Sequence, residues 1–153
     1  MKRLLALTFL VFLFLRPGDA VAEETLMIRV GLAFDATLAQ LQQVIAEHGY
    51  TVSHVQRCDV GLQGSGYETD KYRVVFFGKL DEMRAISSSH PELVPFLPLN
   101  IAVFAENGDT ILSVFNPAVY ERLFPQSRLS VQFRRWESDI RSILDEMRAR
   151  VNS

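Results

Sequence analysis

The stretch from Phe96 to Tyr120 constrains this chain more than any other. Leu99, Ile101, Val103 and Ala105 alternate with Asn100, Ala102, Phe104 and Glu106. Ile111, Ser113 and Phe115 alternate with Leu112, Val114 and Asn116, and Glu106-Asn107-Gly108-Asp109 stands between the two runs. Alternation with a period of two is the signature of a strand. Asn-Gly marks a type I′ turn, because both central residues need positive φ. The segment is therefore predicted to be a hairpin. Apolar residues on both faces place it in the middle of a sheet covered on at least part of both sides.

The elements around the hairpin follow from their own patterns. In Glu24–Phe34, Leu26, Ile28, Val30 and Leu32 share one face of a first strand, and Met27, Arg29, Gly31 and Ala33 share the wetter one. Asp35 is predicted to cap a helix over Ala36–His48, with Leu38, Leu41, Val44, Ile45 and His48 on its apolar side and Gly49 as its stop. A second strand is read over Tyr50–Val60, with Val52, His54, Gln56 and Cys58 on one side. Gly61–Lys71 reads as an inter-strand loop. Its Gly64-Ser65-Gly66 lacks the Lys-Ser/Thr of a phosphate-binding loop. Tyr72–Gly78 is a third strand with Tyr72, Val74 and Phe76 on one face, and Lys79–Ser88 a short helix ended by His90-Pro91. Pro117 opens a short helix to Phe124. From about Ser130 to Val151, Phe133, Trp136, Ile140, Ile143, Leu144, Met147 and Val151 recur every three or four residues. That stripe must bury against something, either a face of the sheet or a partner helix in a dimer.

The chain opens with Lys2 and Arg3, then an apolar run over Leu4–Leu15, then Ala20-Val21-Ala22. This is the layout of a secretory signal over residues 1–22, cleaved before Glu23. The run reaches only about 18 Å as a helix, against a hydrocarbon core of ~30 Å. Residues 23–125 then form one α+β domain, and 126–153 complete it with the terminal helix. The expected location is secreted or periplasmic. Formal net charge is −2, and loss of Lys2, Arg3 and Arg16 against Asp19 makes the remainder more acidic. A mildly acidic domain without a basic stripe does not suit nucleic acid as a partner.

Candidate chemistry is sparse. No Ser/His/Asp set or close carboxylate pair is present, and Cys58 with His48, His54 and His90 has no zinc-ligand spacing, so no catalytic residue and no metal ligand is assigned. Cys58 is a possible reactive thiol if a cation such as Arg57 lowers its pKa, and otherwise a buried, inert one. Asp59 is expected to pair with Arg57 or Arg73. The aromatic residues point to a different use. Phe76, Phe104, Phe115, Phe133, Trp136 and Ile140 are expected to line an apolar cavity between sheet and terminal helix. The cofactor is unknown on these residues. A small apolar ligand or a periplasmic protein is the expected partner. The alternatives are a thiol-dependent accessory enzyme using Cys58 and a homodimeric interaction module.

Several places in order carry a family likeness: Glu47-His48-Gly49-Tyr50, Asp59, Arg73-Val74-Val75-Phe76-Phe77-Gly78, Pro91, Leu97-Pro98-Leu99, Gly108, and Phe115-Asn116-Pro117 with Tyr120. On these the core from Leu26 to Phe124 resembles domain-of-unknown-function family 302. The resemblance implies a β-α-β4-α domain with a curved antiparallel sheet of about five strands, akin to the TATA-box-binding-protein-like fold and often dimeric. It makes Lys79–Ser88 an insertion before the fourth strand. It implies no activity, and so no catalytic residue. At Gly78 this chain continues Lys79-Leu80 where the family commonly has Asn-Pro.

Overall fold

The computed structural model describes residues 23–151, so the expected leader and its cleavage point lie outside the described residues. The elements run β1 (Thr25–Val30), α1 (Phe34–Glu47), β2 (Thr51–Arg57), α2 (Cys58–Gly64), β3 (Tyr72–Gly78), α3 (Leu80–Ser89), a 3-10 segment (Pro91–Phe96), β4 (Leu99–Glu106) and β5 (Asp109–Phe115). A 3-10 turn (Pro117–Val119), α4 (Tyr120–Leu123) and α5 (Ser130–Val151) complete the chain. The strands form one antiparallel sheet in the order β1-β5-β4-β3-β2. This is the α+β class expected, with the β4–β5 hairpin inside the sheet. Asn107 and Gly108 take φ of 52° and 91°, as a type I′ turn demands.

One face of the sheet is packed solid. Leu26, Ile28 and Val30 of β1, Val75 and Phe77 of β3, Leu99, Ile101 and Val103 of β4, and Leu112 and Val114 of β5 are all buried there. Against them lie α1, through Leu41, Val44 and Ile45, and α5, through Phe133, Trp136, Ile140, Ile143, Leu144 and Met147. The terminal helix thus buries its stripe within the chain, against β1 and α1. Each such side chain contributes about 1.5–3 kcal/mol by leaving water. The other face, with Met27, Val74, Phe76, Ala102, Phe104 and Phe115, stays half-exposed to exposed. Ile111 is buried even there, between its register partners Arg29 and Phe104.

Local expectations fail where a tertiary contact intervenes. Asp35 is not the cap of α1. The helix begins at Phe34, whose ring is buried, and its start is held by the Thr37 amide on Ala33 O at 2.9 Å. Asp35 lies in the first turn, where its charge suits the helix dipole, and pairs with Lys71 at 2.6 Å. At the other end Gly49 takes φ 76°, and the Tyr50 amide reaches back to Ile45 O at 3.2 Å, closing a Schellman motif. In β2 the register slips between Val52 and His54. Ser53 is the extra residue, its hydroxyl donating to Phe76 O at 3.2 Å. A bulge reverses the parity beyond it, so Val52 and Val55, not Val52 and His54, both pack on the core. The second strand also stops early: Cys58 opens α2 instead of continuing β2.

Candidate functional site

The segment between β3 and β4 forms an apolar hollow. β3 ends at Gly78, and α3 turns back over it. A Cβ on Gly78 would stand 3.0 Å from Met83 Cγ, so the glycine lets Met83 lie directly on the strand. The 3-10 segment and Leu97-Pro98 then return the chain to β4. Between α3, this return and the edge strand β2 lies a cleft of about 560 Å³. Leu80, Met83, Val94, Leu97 and Pro98 form its apolar wall, and Gly78, Thr51, Ser53, Arg84 and Ser87 complete it. Leu80 and Val94 are 62% and 49% exposed, so the cleft offers apolar surface that the chain itself does not cover. A volume of a few hundred Å³ with few polar groups is the size and character of a small-molecule site.

The opposite side of α3 is pinned. Trp136 Nε1 donates to Glu82 Oε2 at 2.9 Å, and Arg135 donates to both Glu82 and Asp139. The Tyr50 hydroxyl donates to Asp139 at 2.6 Å, and Lys79 lies 4.7 Å over the Tyr50 ring. Burial, and then the hydrogen bond to Asp139, push the Tyr50 phenol well above its ordinary value, so it remains a donor. Burial works against the Arg135 charge, but the bond to Glu82 and the nearby charges of Glu82 and Asp139 together outweigh it. Every member has a partner. The cluster therefore acts as a clamp that fixes one cleft wall to α5.

The sequence-expected pocket does not exist as one space. Phe133, Trp136 and Ile140 are buried on the helical side, whereas Phe76 and Phe104 stand on the opposite face of the sheet and Phe115, exposed at the end of β5, meets only Tyr120, at 5.7 Å, among the described rings. The parity of β3 and β4 decides this, since Val75, Phe77, Ile101 and Val103 take the inward positions. The inward aromatic rings pack on each other: Phe133 meets Trp136 at 5.9 Å and Tyr120 at 5.5 Å. Phe76 stacks with His54, and His54 also hydrogen-bonds Gln56 at 3.0 Å.

Cys58 is half-buried at the start of α2. Burial first, then the Asp59 charge, push its thiol up, and Arg73 offsets them only in part. These surroundings favour the thiol over the nucleophilic thiolate. Asp59 pairs with Arg73, not Arg57. Its carboxyl is held below the ordinary range by that bond and by the Val60 amide at 2.8 Å. The Gly64–Gly66 turn borders a wider hollow of about 890 Å³ lined by Gln63, Gly66, Tyr67, Glu68, Thr69 and Asp70. Polar walls with two carboxylates suit neither phosphate nor an apolar ligand. Among the described residues no group of three or more His, Cys, Asp or Glu could hold a metal ion.

The cleft was missed from the sequence because its walls come from four separate segments. One local signal was present: Val94 and Leu97 are apolar residues that no helical or strand stripe accounts for.

Comparison with known proteins agrees with this architecture. The family model described as domain of unknown function DUF302 matches residues 27–147. A crystal structure of an uncharacterized conserved DUF302 protein from Bacillus stearothermophilus is similar, with a TM-score of 0.75 at 19% identity, over 83% of this chain and 100% of that one. At that identity the likeness concerns the fold alone. No curated protein matches the chain.

Proposed function

Since the chain belongs to the DUF302 family of domains of unknown function, we propose from its own surface that it is a non-catalytic binding domain, exported by the leader over residues 1–22, that takes a small apolar ligand. The observation that carries this is the cleft walled by Leu80, Met83, Val94, Leu97 and Pro98, with Leu80 and Val94 left in contact with solvent. The site differs from the cavity expected between sheet and terminal helix, and the kind of ligand is the same. A shape akin to the TATA-box-binding-protein-like fold belongs to the same proposal.

The test places charge in the cleft without touching the core. Leu80→Asp with Val94→Asp is expected to weaken binding of an apolar fluorescent probe by at least about tenfold, because an ionised group resists burial beside the ligand. Thermal stability should stay close to wild type, since both side chains are exposed. Val131→Asp, 84% exposed on α5, is the control and should leave binding unchanged. Equal binding by all three proteins would reject the cleft as the site.

A second reading, the homodimer, is favoured by the uncovered sheet face. Met27 and Phe115 are 54% and 43% exposed there, beside Val74, Phe76 and Ala102, with no charged residue among them. The apolar residues of this face, beside Arg29 in its ion pairs with Glu106 and Asp109, can meet their own copies across a two-fold axis. Light scattering over a range of concentrations should then give a dimer mass, and Phe115→Glu should return it to the monomer. A monomer at every concentration would reject this reading.

A further inference from the structure

We infer that the occupant of the cleft is an amphipathic carboxylate, an alkyl chain against the apolar wall with its anionic end at Arg84, an inference that rests on the cleft being a ligand site. The donors available there decide the chemistry. The Ser87 hydroxyl donates to Met83 O at 2.7 Å within its own helix, and the Ser53 hydroxyl donates to Phe76 O at 3.2 Å across the strands. Both hydroxyls have spent their protons and face the cleft as acceptors. The donors that remain on the wall are the Arg84 guanidinium and the Thr51 hydroxyl. Arg84 is also the one charged residue among those that line the cleft.

Arg84 is free to swing to a ligand. Among the described residues its ion-pair partner is Asp81, one turn back, at 3.9 Å, and both side chains are largely in solvent. Such a surface pair holds its members weakly. A carboxylate at the mouth would gain a charge-assisted, bidentate bond from the planar guanidinium, which an alcohol cannot match and an ammonium would oppose. The other charges near α3 are engaged elsewhere: Glu82 holds Arg135, Lys79 lies over Tyr50, and Glu92 meets His90 at 3.2 Å. The apolar wall supplies affinity for the chain, and Arg84 sets the sign of the head group.

The experiment compares decanoate, decanol and decylamine, each below its micelle concentration, by titration calorimetry with the full chain. Decanoate is expected to bind about tenfold more tightly than decanol, and decylamine more weakly than either. Arg84→Gln should bring decanoate to the affinity of decanol and leave decanol unchanged, and Arg84→Lys should restore part of the preference. Arg84 is exposed, so these variants retain the fold. If decanol and decanoate bind equally and Arg84→Gln changes nothing, the carboxylate proposal is overturned while the apolar site stands. If none of the three binds, the site itself is rejected.

Discussion

Trp136→Ala is expected to lower the stability of the domain by about 3–5 kcal/mol, read by chemical denaturation. The indole is fully buried in the contact between α5 and the rest of the core. Its truncation removes apolar area from that contact and leaves a void that Phe133 and Ile140, rigidly packed on either side along the helix, fill only in part. It also takes the Nε1 donor at 2.9 Å from Glu82, which keeps Arg135 as its partner. Domains of this size hold about 5–15 kcal/mol in total, so the variant stands close to unfolding at ambient temperature. Trp136→Phe separates the two causes. It keeps most of the volume but not the N–H, and should cost about 1–3 kcal/mol. A loss below about 1 kcal/mol for Trp136→Ala would mean that α5 is not part of the core.

The second large effect concerns Asp59 and Arg73. Their side chains are 7% and 12% exposed, and the pair ties the first turn of α2 to β3. Arg73 also lies 5.7 Å over the Phe34 ring, which joins the start of α1 to the same cluster. Asp59→Ala leaves the guanidinium without its charge partner under nearly complete cover. Arg73 keeps its bond to Tyr72 O at 3.0 Å, so the expected cost is about 2 kcal/mol, below the range for deep ion pairs. The effect depends on pH in a defined sense. The bond to Arg73 holds the Asp59 carboxyl below its ordinary value of 3.8. A depressed folded-state value means stability that is present in full above the ordinary value and is lost as pH falls through the folded one. The difference between wild type and Asp59→Asn should therefore be constant near neutrality and shrink below about pH 4. A difference that grows on acidification would exclude the ion pair as its source.

These two sites also show how far residues can be read alone. Trp136 was legible because a helix imposes a spacing of 3.6, so seven apolar residues from Phe133 to Val151 fall on one side whatever they meet. The partner of Asp59 was legible only as a choice between Arg57 and Arg73. Which of the two it meets depends on where β2 ends, and β2 ends where the bond to Arg73 and the Asp59–Val60 contact turn the chain into a helix that its glycines disfavour.

The hairpin turn at Asn107-Gly108, the stop at Gly49 and the buried stripe of α5 were thus written into short runs of residues, because φ preference and periodicity act within a few positions. Only closure of the sheet decided which face each aromatic ring takes. Strand parity is set by pairing with distant neighbours, and one bulge at Ser53 is enough to reverse it. The same closure made the cleft, since Thr51, Gly78, Met83 and Leu97 become neighbours only when β2, α3 and the return to β4 are brought to one end of the sheet.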